Sequence, residues 1–244
     1  MSGKNQKIAL VTGAGRGLGS ELAIRLAGEG YTVAIHYRTS CDEALSVREK
    51  IIQQGGCAEI FCADLSLPEK CARLVSEVID SLGNRLDLLI NNAGVYEPVP
   101  LESMGSLEWF TGFHSTATAA FLITKASLQL LRQSGSGRII NIGDSSADRA
   151  TARDMALGYH IGKTGVWMLT RSFARTEAPH GVTVNMVSPG YLENSVQTPE
   201  IESIPAGRLG TFEDIWAAVK FLIDENSSYI TGTNIMVSGG WNLR

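Results

Sequence analysis

Short β-branched runs alternate along this chain with longer stretches of helical periodicity, and that alternation constrains the fold more than any other feature. Lys7–Thr12, Tyr31–Tyr37, Cys57–Cys62, Leu86–Asn91, Arg138–Ile142, Val182–Val187 and Asn234–Val237 read as strands. Leu18–Gly28, Asp42–Gln54, a segment ending near Leu82, Leu107–Gln133, Gly158–Ala178 and a segment ending near Asp224 read as helices. Ser66 with Glu69 spells a capping box for the third helix, with Pro68 in its first turn, and Thr211 with Asp214 caps the last. Strands separated by helices need crossovers, and right-handed crossovers lay them in one parallel sheet covered on both faces. The expected fold class is α/β: a single-domain, Rossmann-type, doubly wound parallel sheet of about seven strands over residues 1–244. No linker, repeat or low-complexity tract divides it, and Ser134–Gly137 reads as a surface loop.

Composition narrows the function. Lys plus Arg number 21 against 25 Asp plus Glu, a formal net charge of −4, which offers no broad basic surface to nucleic acid or anionic lipid. No apolar run approaches the ~18–20 residues of a spanning helix. The start, Met1–Lys7, is polar, and Ile8–Val11 is too short for a signal-peptide core. Cys41, Cys57, Cys62 and Cys71 form no C-x-x-C pair, and His36, His114, His160 and His180 add no zinc spacing, so no metal site is expected. These features describe a cytoplasmic protein with reduced thiols and a small-molecule substrate.

Thr12-Gly13-Ala14-Gly15-Arg16-Gly17-Leu18-Gly19 lies between the first strand and the first helix. Glycines there let the backbone turn sharply and approach a pyrophosphate, whose charge the helix N-terminus favours. An NAD site carries an acidic residue at the end of the second strand. Here that stretch reads His36-Tyr37-Arg38-Thr39-Ser40, with no carboxylate before Asp42. Arg38 can grip a 2′-phosphate bidentately, Thr39 and Ser40 can add hydroxyl donors, and Arg16 points toward the same region. The expected cofactor is NADP(H).

Tyr159 and Lys163 stand at i and i+4 of one helix, hence on one face. A phenol acts as a general acid near neutrality when a nearby ammonium stabilises its phenolate. With these residues the chain resembles the short-chain dehydrogenase/reductase family over nearly all its length. The resemblance is carried by Thr12-Gly13-x-x-x-Gly17-x-Gly19, Ala63-Asp64-Leu65, Asn91-Asn92-Ala93-Gly94, Tyr159-x-x-x-Lys163, Ser188-Pro189-Gly190, and Tyr229-Ile230-Thr231-Gly232 before Gly239-Gly240. It implies that Tyr159 protonates the substrate oxygen as hydride leaves the nicotinamide, and that Lys163 binds the nicotinamide ribose and tunes the tyrosine. It also implies adenine contacts from Asp64 and Leu65, support from Asn91, Ala93 and Gly94 on the fourth strand, and a nicotinamide amide held by the backbone of Leu192 beyond Pro189 and Gly190. The family commonly forms tetramers through the two long helices, here Leu107–Gln133 and Gly158–Ala178. Val166, Trp167, Leu169, Thr170 and Phe173 give the latter more apolar surface than one sheet contact needs, so a homotetramer is expected.

Two positions depart from the family pattern. After the fifth strand the chain reads Asn141-Ile142-Gly143-Asp144-Ser145-Ser146. Counting from the strand puts Asp144 where the family has its catalytic serine, whereas counting back 13 residues from Tyr159 gives Ser146. Asp144 is preferred, because strand ends are fixed by the sheet while loops absorb insertions. An ionised carboxylate would repel a developing alkoxide that serine would stabilise, so aspartate suits a substrate with N–H groups or a ring nitrogen needing a proton. Pteridine reductases within the family carry this aspartate, and they also resemble the chain at His36-Tyr37 and in Gly240-Trp241-Asn242-Leu243-Arg244, although Gly17 keeps the ordinary glycine where they often have arginine. In the alternative, Asp144 caps a turn and Ser146 does ordinary ketone chemistry. The second departure is Thr116, five residues before Phe121, where the family has an asparagine holding a water that links the lysine to solvent. His114 falls on another helix face and reads as a surface or interface residue.

From Gly190 to Ile204 there are only about 14 residues for a substrate lid, which suggests an open pocket. Tyr191, Leu192, Val196 and Ile201 are its candidate cover, and Tyr96 and Tyr191 the candidates for stacking on a flat substrate. The expected activity is NADPH-dependent reduction of a carbonyl, 3-oxoacyl or general ketone, with Tyr159 as proton donor. A pteridine reductase using Asp144 is the alternative, and a catalytically degraded nucleotide-binding regulator, suggested by Thr116, the third.

Overall fold

The computed structural model describes residues 6–149, 151–241 and 243. The start 1–5, and Asn242 and Arg244 of the terminal motif, lie outside the described residues. Seven strands form one sheet: β1 (Ile8–Val11), β2 (Thr32–Tyr37), β3 (Cys57–Cys62), β4 (Leu88–Asn91), β5 (Arg138–Ile142), β6 (Thr183–Pro189) and β7 (Asn234–Val237). They pair in parallel in the order β3-β2-β1-β4-β5-β6-β7. The order reverses between β1 and β4, so the crevice beyond their carboxyl ends is where a doubly wound sheet takes its ligand.

Strand alternation sorts the core onto two faces. Ala9, Val11, Val33, Ile35, Leu88 and Ile90 face α1 (Gly17–Gly28), α2 (Cys41–Gln53) and α7 (Phe212–Ile223). Ile8, Leu10, Ala34 and Leu89 face α3 (Pro68–Leu82), α5 (Ala119–Gln133) and α6 (Leu157–Glu177). A buried polar chain also crosses the second face. Asn91 Nδ2 donates to Asn141 Oδ1 at 2.8 Å and to Thr124 Oγ1 at 3.0 Å, and Asn141 Nδ2 donates to Thr170 Oγ1 at 2.8 Å. These bonds lock α5 and α6 in register with the strands that end at the crevice.

Two local expectations are corrected. Ser66 does not cap α3, because its backbone N–H and its hydroxyl both donate to Asp64 Oδ1, at 3.0 and 2.7 Å. Leu67 takes the cap position without a side-chain bond, and Pro68, lacking an N–H, opens the helix. Thr211 and Asp214 do form their capping box. The stretch expected as one helix over Leu107–Gln133 is α4 (Ser106–Phe113) and α5, joined by a π turn at His114–Thr118. The hydroxyls of Ser115 and Thr116 both donate to the Gly112 carbonyl, at 3.3 and 2.7 Å, and Thr116 also reaches the Phe113 carbonyl at 3.1 Å. Such back-bonding competes with the regular ladder and widens the turn. Among the described residues no helix is long and apolar enough to cross a membrane, and no cluster of ligating side chains could hold a metal ion.

Candidate active site

The glycine turn is held from three sides. Gly13 (φ +61°) and Gly17 (φ +60°) occupy the left-handed region that disfavours side chains. Thr12 Oγ1 accepts the backbone N–H groups of Asn92 and Ala93 at 3.0 Å each, and Asn92 Nδ2 returns bonds to the Thr12 and Gly13 carbonyls at 3.0 Å. His36 closes the third side. Its Nδ1 accepts the Gly13 N–H at 3.1 Å, so Nε2 carries the proton and donates to the Ala63 carbonyl at 3.0 Å. Burial lowers the His36 pKa to about 4, keeping the ring in this neutral tautomer. Asn92 and His36 were not singled out as site residues by sequence. The traceable signal for His36 was a titratable group at the buried end of β2, directly before Tyr37 and Arg38.

Beside this turn lies a cleft of about 450 Å³. Gly13, Arg16, Leu18 and Gly19 line it from the turn, Tyr37 from the end of β2 with Arg38, Thr39 and Ser40 just beyond, Asp64 and Leu65 from beyond β3, and Asn92, Ala93 and Gly94 from beyond β4. Arg16 and Arg38 therefore converge on one cleft, as their positions suggested. Bonds from Ser66, more than burial opposes, hold the Asp64 carboxyl below its usual range, with Arg38 assisting. Gly15 and Gly17 shape the turn without lining the cleft, and a Cβ on Gly15 would come within 2.6 Å of Ser40 Oγ. The far wall is Phe110 and Thr111 of α4 with His114 and Ser115 of the π turn, so His114 faces the cleft and is not simply a surface residue. Asn91 lies behind the site: its Nδ2 is committed to the interior chain, and its neighbour Asn92 makes the contacts to the turn.

A dinucleotide fits these residues. A Cβ on Gly19 would overlap the Gly13 carbonyl, so only glycine there lets the start of α1 pack directly on the turn, as a dinucleotide fingerprint requires of its last glycine. Two guanidiniums and two hydroxyls rim the end of β2, and no carboxylate of that stretch lines the cleft.

Gly94 joins the cleft to Tyr159 and Lys163, since a Cβ there would sit 3.5 Å from both Tyr159 Cε2 and Lys163 Nζ. Both residues lie on α6. Lys163 is 3% exposed, its Nζ donates to the Ile142 carbonyl at 2.7 Å, and it stands 5.4 Å from the centroid of the Tyr159 ring. Burial lowers the Lys163 pKa to about 8, against the opposing pull of Asp144. Burial raises the Tyr159 phenol, and Asp144 and Tyr96 raise it further, so the group rests protonated. Tyr96 meets the Tyr159 ring edge-on at 5.2 Å.

Thr116 does not reach this pair with its hydroxyl. It is 1% exposed, its Oγ1 is turned back to Gly112 and Phe113, and its methyl lies toward Gly94. At the position of the family asparagine, then, stands a threonine whose hydroxyl proton goes to carbonyls of its own helix.

Asp144 and Ser146 lie together. Asp144 Oδ1 accepts the Ser146 N–H at 2.9 Å and the Ser146 hydroxyl, and Arg153 donates to that same hydroxyl. Asp144 Oδ2 is 3.9 Å from His160 Nδ1. Its charge bears on Tyr159, Lys163 and His160, whereas Ser146 is bound between Asp144 and Arg153.

On the other flank, Ser145 N–H donates to the Pro189 carbonyl at 3.0 Å and Gly190 N–H to Val237 at 2.9 Å, tying the end of β6 to its neighbours. The Leu192 N–H donates to Ser195 Oγ at 2.9 Å and its carbonyl accepts from the Ser195 N–H at 2.9 Å. Of the Leu192 backbone groups expected to serve a ligand, only the second lone pair of the carbonyl is uncommitted to Ser195. Tyr191 meets Trp241 edge-on at 4.9 Å, while Val196 and Ile201 are exposed.

Known proteins match this arrangement. The family model described as Enoyl-(Acyl carrier protein) reductase matches residues 13–242. The 3-oxoacyl-[acyl-carrier-protein] reductase FabG of Staphylococcus aureus (strain Mu50 / ATCC 700699) is 37% identical, over 97% of this chain and 98% of its own. The 3-oxoacyl-[acyl-carrier-protein] reductase of a Synechocystis strain is 35% identical over 98% of each. Among solved structures, acetoin dehydrogenase from Enterobacter cloacae superposes with a TM-score of 0.87 at 28% identity, covering 99% of this chain and 97% of that one. A Serratia marcescens short-chain dehydrogenase/reductase superposes at 0.88 with 29% identity, covering 97% and 98%. With the glycine turn, the Asn-Asn-Ala-Gly bend and the Tyr159–Lys163 pair in their places at the carboxyl ends of one parallel sheet, the chain belongs to the short-chain dehydrogenase/reductase family.

Proposed function

We propose that this protein is an NADPH-dependent reductase of carbonyl compounds, with 3-oxoacyl thioesters as the first substrate class. The observation that carries the reading is the pair formed by the protonated Tyr159 and the buried Lys163, joined to the arginine-rimmed cleft through Gly94. Arg16, Arg38, Thr39 and Ser40 would hold the 2′-phosphate, Gly13, Leu18 and Gly19 the pyrophosphate, and Asp64 with Leu65 the adenine. Pro189, Gly190 and Leu192 would border the nicotinamide. When bound, the cofactor supplies the hydride. Tyr159 gives its proton to the substrate oxygen, and Lys163 lowers the cost of the phenolate left behind.

Mixing purified protein with NADPH and acetoacetyl coenzyme A tests the reading by loss of nicotinamide absorbance. Tyr159→Phe should abolish turnover and spare NADPH binding, and surviving turnover removes the tyrosine from its role. A second reading, reduction of a dihydropterin, is favoured by one feature: Asp144 rather than a serine stands with Tyr159 and His160. Oxidation of NADPH by dihydropterin but not by the thioester would select it.

We further infer a homotetramer in the cytoplasm. The outer faces of α5 and α6 leave Phe121 41% exposed, stacked on Phe173 at 6.1 Å, with Met168 and Ile161 also exposed, and all four cysteines are free thiols. Light scattering at micromolar concentration should give about four times the chain mass of 26.2 kDa, and a monomer would refute the assembly.

A further inference from the structure

Carbonyl reduction consumes a proton, so Tyr159 must be recharged at each turnover, and the hydroxyls on the π turn beside Lys163 are engaged elsewhere. The hydroxyls of Ser115 and Thr116 on the π turn both donate to helix carbonyls, and Ser115 Oγ also accepts the Val95 N–H at 2.9 Å. A methyl, not a polar group, is what Thr116 turns toward Gly94.

The other flank of Tyr159 is open. Asp144 and His160 have side chains 24% and 16% exposed, and their facing atoms stand 3.9 Å apart, within ion-pair range. The His160 ring lies edge-on to Tyr159 at 5.5 Å and to Tyr96 at 5.9 Å, which confines it beside the phenol. The charged and titratable groups around it are Tyr159 and Lys163 on its own helix, Tyr96 after β4, and Asp144 and Arg153 after β5. Burial, and then Arg153, lower its basicity while Asp144 raises it.

We propose that His160 and Asp144 form the proton supply of Tyr159, replacing the asparagine-borne route of the family; the inference rests on the reductase reading above. His160 takes a proton from water at Nε2 and releases the Nδ1 proton to Asp144 Oδ2. The Asp144 carboxyl then protonates the Tyr159 phenolate. One proton enters for each hydride transferred; Asp144 and Tyr159 end as they began, and His160, left as the Nε2–H tautomer, returns to Nδ1–H by exchange of its ring protons with water before the next turnover. His160 is thus a relay residue, acting on the substrate only through Asp144 and Tyr159. The same chain gives the carboxylate at position 144 a use that a carbonyl site lacking such a relay would not have.

His160→Asn keeps an amide N–H near the Nδ1 position but cannot carry a proton. Rapid mixing of this variant with NADPH and acetoacetyl coenzyme A at pH 8 should show a burst of about one NADPH per subunit. A steady rate about tenfold below wild type should follow, with a larger solvent deuterium effect and recovery on adding imidazole. A steady rate within about twofold of wild type overturns the proposal, as does a loss without burst or imidazole rescue, which would mean a merely structural role. In protein without cofactor, NMR titration should show the His160 pKa falling in Asp144→Asn, because the carboxylate that raises it is gone; an unchanged titration also overturns the proposal. Wild-type protein inert with every acceptor would refute the reductase reading and the relay together, whereas an active wild type with an unaffected His160→Asn refutes the relay alone.

Discussion

Thr116 and Gly162 pack so closely that a Cβ at position 162 would overlap the Thr116 hydroxyl. The π turn therefore nests directly on α6, one residue before Lys163. In an ordinary helix interior Gly→Ala stabilises by about 0.5–1 kcal/mol. Here overpacking should win, so Gly162→Ala should cost ~1–3 kcal/mol in urea unfolding. A stabilised Gly162→Ala protein would show that the turn and α6 are not held together as described.

His36 makes stability depend on pH through its lowered pKa. The ordinary value is 6.5 and the folded value about 4, so between these the unfolded chain takes up a proton that the folded one refuses. Stability is complete above pH 6.5 and falls as pH drops toward 4, by up to about 3 kcal/mol from this residue. Unfolding of wild type and His36→Gln at pH 7 and pH 4.5 isolates the contribution. The variant should be weaker at pH 7 and lose less on acidification; equal losses would contradict the buried neutral tautomer.

Lys163, lowered to about 8, sets an alkaline limit. Its charge is present below that pH and lost above it, and with it the cation that eases formation of the phenolate. The reduction rate should therefore fall as pH rises through about 8. Lys163→Met should lose about 10²–10⁴-fold in kcat/KM and this limb together. A wild-type rate flat from pH 7 to 9.5 would exclude the ammonium from the rate-determining chemistry.

Arg38 lines the cleft with Arg16, Thr39 and Ser40. Arg38→Asp should weaken NADPH binding by about tenfold or more, as loss of a charge-assisted bond of ~1.5–3 kcal/mol requires, and should improve NADH binding. Titrations followed by nicotinamide fluorescence give both constants. Equal weakening of both dinucleotides would take the 2′-phosphate away from this residue.

Much of the site was legible without coordinates because it is local. The glycine turn, the Arg38–Ser40 stretch and the i, i+4 placement of Tyr159 and Lys163 each depend on a few neighbouring residues, and the helix and strand periods put them at the right ends of their elements. What failed was also local in appearance but decided elsewhere. Ser66 matched a capping box, yet the Asp64 carboxylate two residues earlier claimed both of its donors. Leu107–Gln133 matched one helix, yet the Gly112 carbonyl drew two hydroxyls and the ladder widened. Asn92 and His36 were missed because their partners, the carbonyls and N–H of the glycine turn, lie far away in sequence.

The sequence by itself determined the alternating sheet, the dinucleotide turn and the tyrosine–lysine pair, since hydrophobic period, glycine conformation and helical spacing are properties of short segments. Only the tertiary structure decided that Asp144 lies 3.9 Å from His160 and that Thr116 turns its hydroxyl away. Those relations are set by how the strands register and how the helices pack, which no spacing along the chain specifies.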